Sequence, residues 1–173
     1  ITLIVILGIL SYNAFKSLPL YFSIPIYFVY TNVLNFIGLS SGLHEMTHGT
    51  VFKSKVLQTF FLNVIGFFTW SDHVFYKASH TKHHQYTAHH DLEMEVVLPM
   101  TLHIKDYVFA TFFNPFFTLT TFFSYIRRAF GLIKGEWEEE IFPPENVKKR
   151  RQLIRWNRVM LIGHILMATL IIL

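Results

Sequence analysis

The feature that most restricts the fold of this protein is the long stretch of residues 19–40, which contains no charged side chain. An α-helix rises about 1.5 Å per residue, so about 20 apolar residues cross the hydrocarbon core of a bilayer. We therefore predict a transmembrane helix over about residues 19–42. Residues 1–10 and 159–173 are also uncharged and predict two further spans. Because both are shorter than a full span, we expect the sequence to be a piece of a longer protein, truncated at both ends.

The basic residues predict the orientation of these spans. Of the 15 Lys and Arg residues, all but Lys16 lie between residues 53 and 158. Cytoplasmic loops of membrane proteins carry the excess of Lys and Arg, so residues 43–158 are predicted to be cytoplasmic. Residues 11–18 are predicted to form a turn on the opposite side. This distribution explains the net charge of +4 and argues against nucleic acid as a partner.

Two apolar stretches in the cytoplasmic part, residues 56–70 and 107–125, are predicted to form interfacial or re-entrant helices. In the second, Asn114 and Pro115 would break or kink a helix. A hairpin of two additional spans is the alternative, although it would disturb the charge asymmetry. The predicted fold class is all-α, a single polytopic membrane helical domain over residues 1–173 with interfacial helices.

Histidine is the residue type that points to a function. The sequence contains 10 His and no Cys, which excludes disulfides, thiolate-bound haem and cysteine-bound iron–sulfur clusters for these residues. Imidazole is then the natural ligand for a transition metal. Five of the histidines form two clusters at helical spacing: His44 and His48 at i and i+4, and His80, His83 and His84 at i, i+3 and i+4. On helices, each cluster would present its imidazoles on one face, where they could bind metal.

The two clusters and their flanking residues, 42–52 and 79–87, resemble the first and second histidine boxes of the membrane fatty acid desaturases. We call residues 44–48 the first box and residues 80–84 the second box. The resemblance spans most of the sequence, and the boxes carry nearly all of its specificity. It implies a helical membrane protein with a cytoplasmic histidine-box cap, in which two Fe ions are held mainly by histidines. By the same match, the metal ligands are His44, His48, His80, His83 and His84.

The resemblance also implies a reaction, the O2-dependent desaturation of a fatty acyl chain. The hydrogens on a methylene group in the middle of such a lipid are not acidic, so side chains alone cannot remove them, and the metal cofactor must supply that chemistry. A separate electron donor of the cytochrome b5 or ferredoxin type is implied. We expect basic residues near Arg127, Arg128 and residues 148–151 to dock an acidic donor. Pairs of Phe side chains, such as Phe60 and Phe61, could line the route of the acyl group or simply face lipid.

The family pattern includes a third box that this sequence lacks, so the fragment alone is expected to be inactive. Outside the two boxes, His89 is the best candidate for an additional ligand. His73 and His90 could likewise be additional ligands or could hydrogen-bond to a ligand, and no role is assigned to His164 in the last span.

Three other functions are compatible with parts of the pattern. A hydroxylase or ketolase of the same superfamily, acting on a lipid or carotenoid, would use the same boxes. A membrane zinc protease would use His44 and His48 as ligands and Glu45 as general base, since residues 44–48 match H-E-x-x-H. A metal transporter or chaperone is the non-enzymatic alternative, but its histidines would be expected along the spans.

Overall fold

The computed structural model of the protein describes residues 2–37, 41–87, 89, 103–105 and 115–172. All regular structure in these ranges is helical, which confirms the all-α prediction. The helices are α1 (Thr2–Ser17), α2 (Leu20–Asn35), α3 (Gly42–His48), α4 (Lys55–Phe68), α5 (His73–Tyr86), α6 (Pro115–Ala129), α7 (Glu136–Ile141) and α8 (Val147–Ile172). Within the described ranges, no helix is both long enough and apolar enough to cross a bilayer. The chain divides into two compact units, Ile1–His73 and Val74–Leu173.

In the first unit, α1 and α2 form an antiparallel hairpin. The ring centroids of Phe15 and Tyr27 lie 5.7 Å apart, and the Tyr30 ring packs beside Gly8. The buried Ser23 hydroxyl donates to the Ala14 carbonyl at 2.8 Å. The predicted turn over residues 11–18 is therefore wrong, since α1 continues to Ser17 and the chain reverses just before α2. The small, buried residues Ser11 and Ala14 let α2 pack closely against α1, and the helix continues through them.

The predicted helix over residues 19–42 also differs from the structure. Helix α2 ends at Asn35, and Ser41, with φ −140° and ψ −50°, is a non-helical residue immediately before α3. The first box therefore lies on a separate short helix and is not an extension of the long apolar one. Residues 38–40 lie outside the described ranges.

Helix α4 confirms a helix within residues 56–70, and the Ser54 hydroxyl caps its first turn by accepting from the Leu57 N–H at 3.4 Å. Helix α6 begins at Pro115, a residue that suits a first turn because it has no N–H to leave unpaired. The earlier part of the predicted helix over residues 107–125 falls outside the described ranges.

In the second unit, the core lies where α5 meets α7 and α8. Ile133, Ile141, Phe142 and Leu153 are buried together, and Val74, Phe75 and Ala78 of α5 pack against them with Trp137. Helix α6 packs along α8, and the Arg158 side chain donates to the Ala129 carbonyl at the end of α6, at 2.8 Å. This packing fixes α5, which carries the second box, to the rest of the unit.

Candidate metal centre

The first box places two imidazoles side by side on α3. The Nε2 atoms of His44 and His48 lie 3.4 Å apart, and the ring centroids lie 4.7 Å apart. His44 is half-buried and His48 is exposed, whereas Leu43 and Met46 on the other side of the helix are buried. The buried face holds the helix in place and leaves both imidazoles accessible from one direction.

Two local features fix the end of α3 behind these histidines. Gly49 ends the helix in the left-handed conformation, with φ 75°, which glycine adopts without steric cost. Gln58 of α4 then joins the helix end to the following loop. Its side-chain oxygen accepts from the Phe52 N–H at 3.1 Å, and its side-chain nitrogen donates to the Met46 carbonyl.

Glu45 adds an electrostatic partner that the spacing of the box did not predict. Its Oε1 atom lies 2.9 Å from Nδ1 of His44. A carboxylate only accepts hydrogen bonds, so in the neutral imidazole Nδ1 of His44 carries the proton and Nε2 keeps its lone pair. Nε2 of His44, the atom that faces His48, is therefore ready to bind a cation. A carboxylate behind the ligating imidazole is a common arrangement in metal sites, where it fixes the tautomer and raises the basicity of the ligand.

The second box repeats the arrangement on α5, which confirms the predicted helix. The Nε2 atoms of His80 and His84 lie 3.0 Å apart, with their ring centroids at 4.5 Å. His80 is buried and stacks on Tyr76, with a centroid distance of 5.2 Å, whereas His84 is exposed. The His83 ring lies on the same helix, 5.6 Å from His80 and 5.5 Å from His84.

Both pairs have the dimensions of two ligands on one metal ion. With a metal–nitrogen bond of about 2.1 Å, two ligating nitrogens lie about 3.0 Å apart at a right angle and about 3.4 Å apart at the tetrahedral angle. The observed separations of 3.0 and 3.4 Å match these values. Neutral imidazole suits iron as well as zinc and copper, so the donor set fits a transition metal without requiring thiolates.

Among the described residues, the histidines that could hold a metal ion are His44, His48, His80 and His84. They are four of the five ligands predicted from the sequence. His83 is not among them. The role of all five histidines as metal ligands stays a prediction.

The comparison with known protein families agrees with this histidine arrangement. The sequence model of the family described as Fatty acid desaturase matches residues 17–173, which include both boxes. The chain belongs to the fatty acid desaturase family. No curated protein and no solved structure shows significant similarity to it. The resemblance found in the sequence is thus confirmed at the level of the family.

Membership in the fatty acid desaturase family indicates an oxidoreductase of the desaturase and hydroxylase type. This family acts on fatty acyl lipids, generally at a di-iron centre, is generally bound to membranes and generally needs an electron donor. The family match favours this class over the zinc protease, which has no use for a second box. The position of Glu45 is consistent with the same choice, because its carboxylate accepts a hydrogen bond from Nδ1 of His44.

The histidines outside the two boxes have different hydrogen-bond partners. His73 is buried at the start of α5, where its Nε2 atom lies 2.8 Å from Oδ1 of Asn63. An amide oxygen only accepts, so this nitrogen of His73 carries a proton and offers no lone pair to a metal. His89 is exposed and follows the end of α5, and its backbone N–H donates to the Tyr86 carbonyl. In α8, Nδ1 of His164 bonds the Met160 carbonyl at 2.7 Å, and His90 lies outside the described ranges.

Proposed function

We propose that this protein forms part of a membrane enzyme that desaturates fatty acyl chains with O2. Its metal ligands are His44 and His48 of the first box and His80, His83 and His84 of the second, and the metals are two Fe ions. The observation that supports this proposal most is the facing of Nε2 atoms within each i, i+4 pair, at 3.4 Å in the first box and 3.0 Å in the second. Two imidazole nitrogens at these separations can occupy adjacent coordination positions of one metal ion.

When bound, the irons supply the oxidising power that removes hydrogen from an unactivated methylene group. In a desaturation, the acyl group loses two hydrogens and gains a double bond. These hydrogens, with two electrons from the donor and two protons, reduce O2 to two molecules of water. The residues of the protein hold the ligands in place, fix the tautomer of His44 and admit an apolar substrate.

Each box contributes to these tasks through its own surroundings. Glu45 holds His44 in the tautomer whose Nε2 is free of a proton. The burial of His80 against Tyr76 restricts the rotation of its ring. A ligand whose rotamer is locked in this way loses little conformational entropy when it binds a metal.

The membrane is the proposed location, with the boxes on the cytoplasmic side. The concentration of Lys and Arg between residues 53 and 158 supports this side. The exposed faces of α1 and α2 carry large apolar side chains, among them Leu3, Ile6, Phe22 and Phe28. Such continuous apolar surface suits a lipid environment. That α2 and the apolar segments at residues 1–10 and 159–173 cross the membrane stays a prediction.

A separate electron donor completes the proposal, but the docking surface differs from the one expected from the sequence. Arg127 and Arg128 bind Glu138, at 2.6 and 2.7 Å, and Arg128 is buried. Their guanidinium groups are therefore occupied within the unit. Lys148 and Arg151 are exposed on α8 and are the basic residues that we retain for docking an acidic donor.

The proposal is tested by product and metal analysis of the full-length protein in membranes, supplied with an acyl lipid, a reduced donor and O2. We expect bound iron and an acyl product with one additional double bond and no oxygen from O2. Labelled oxygen in the product would instead identify a hydroxylase or ketolase of the same superfamily. Bound zinc with peptide hydrolysis that depends on Glu45 would overturn the oxidoreductase proposal in favour of the protease.

A further inference from the structure

Helix α7 contacts the second-box helix on the face turned away from the paired histidines. Ser79, Lys82 and Tyr86 of α5 follow one another at i, i+3 and i+7 and therefore share a face. His80 and His84 lie on a different, nearly opposite face of the same helix. The contacts of Trp137 and Glu140 with α5 are made at Ser79 and Lys82, on the first of these faces.

Trp137 is the centre of this contact. Its indole Nε1–H donates to the hydroxyl of Ser79 at 3.0 Å, and Ser79 immediately precedes His80. The Lys82 ammonium lies 4.8 Å from the centroid of the same indole and forms an ion pair with Glu140. Ser79 is buried and the Lys82 side chain is only 13% exposed, so the two contacts with the Trp137 indole are shielded from water, whereas Glu140 is exposed.

Helix α7 is itself held firmly. Its buried Glu138 accepts from Nη2 of Arg127 at 2.6 Å and from Nη2 of Arg128 at 2.7 Å. The Arg128 guanidinium also lies 3.9 Å from the centroid of the Phe75 ring, in α5. The buried Ile141 at the end of α7 belongs to the core. Breaking a buried ion pair costs far more free energy than an exposed pair contributes, so these contacts hold α7 in place.

We propose that Trp137 is a positioning residue for His80 and His84, acting through Ser79 to set the rotation of α5. This inference rests on the proposed function, in which these two histidines bind metal. An imidazole nitrogen about 6 Å from the helix axis moves by about 0.2 Å when the helix turns by about 2°. Metal–ligand distances tolerate about that much error. The hydrogen bond between Trp137 and Ser79 thereby determines whether the Nε2 atoms of His80 and His84 lie at bonding distance from a metal ion.

The experiment measures the binding of Co2+ and Fe2+ to the full-length protein, together with the ligand-field spectrum of bound Co2+. The variant W137F keeps an aromatic ring but loses the N–H donor, and S79A loses the acceptor. We expect each to weaken metal binding by about 10- to 100-fold, the range found for residues that support ligands, and to shift the Co2+ bands. The double variant should be no weaker than either single one, because both changes remove the same bond.

W156F is the matched control, since it makes the same Trp-to-Phe change on α8. It should leave both the affinity and the spectrum unchanged. If W137F does not fold, S79A alone still tests the inference. Wild-type binding in W137F or S79A with an unchanged spectrum would overturn the positioning role while leaving the proposed function intact. A wild-type protein that binds neither ion would overturn the proposed function itself.

Discussion

At the scale of single residues, the interaction between Glu45 and His44 assigns a role to the glutamate of the first box. In a zinc protease with this motif, the glutamate acts on water as a general base. Here its carboxylate lies 2.9 Å from Nδ1 of His44, where it fixes the tautomer of a candidate ligand. The two roles predict different results when Glu45 is replaced.

We expect E45A to lower the iron affinity of the full-length protein by about 10- to 100-fold, because the imidazole loses the carboxylate that orients it. E45Q should lose less, since an amide oxygen can still accept from Nδ1. Metal titration of both variants measures the effect, and E139Q, at an exposed position on α7, is the matched control. An E45A variant that keeps full metal affinity but has no activity would contradict the positioning role and favour the general base.

The sequence was sufficient to find the paired histidines but not the residues that support them. Spacing at i and i+4 brings imidazoles together on any helix, so His44 and His48 could be predicted from the pattern alone. The hydrogen bond between His44 and Glu45 joins consecutive residues, which do not face each other on a helix. The spacing of the residues therefore gave no reason to predict it. Trp137 lies 58 residues from Ser79, so only the tertiary fold shows that they meet.

At the scale of elements, the predictions identified helices better than they placed their ends. The helices of residues 56–70 and of the second box were predicted correctly. The predicted turn at residues 11–18 was wrong because Ser11 is buried within a helical hairpin, while the other polar residues of the segment lie on the exposed side of α1. Toward residue 173, α8 is one helix of 26 residues that joins the basic run to the apolar segment.

Helix α8 also has the basic residues that we retain for docking the electron donor. Reversing both charges, in K148E/R151E, is expected to slow reduction of the iron several-fold at low salt, because attraction to an acidic donor is lost. The difference from wild type should shrink as salt rises, since the Debye length falls from about 30 Å at 0.01 M to about 10 Å at 0.1 M. Stopped-flow reduction over a range of salt concentrations measures this.

The control for this experiment is K53E/K55E, which changes the net charge equally at two exposed lysines near the start of α4. It should reduce the rate less than the α8 variant does. Equal slowing by both variants would mean that net charge, and no particular surface, sets the rate. An unchanged rate in K148E/R151E would remove α8 from the docking proposal.

At the scale of the whole molecule, the two boxes belong to different compact units. His44 and His48 lie in the unit Ile1–His73, and His80 and His84 lie in the unit Val74–Leu173. Each unit supplies its own support for its pair, through Gln58 in the first unit and through the core around α7 and α8 in the second. The proposed function therefore requires that both histidine pairs bind iron in the same protein, although each pair is held by its own unit.

Metal analysis of single-histidine variants of the full-length protein tests this requirement most directly. Iron is measured in wild type, H48A and H84A, one variant for each box, with H103A as the control at an exposed histidine outside both boxes. We predict that H48A and H84A each lose iron, while H103A keeps the wild-type content and all four proteins keep their helical circular dichroism. Wild-type iron content in either H48A or H84A would contradict the claim that both boxes bind the metal.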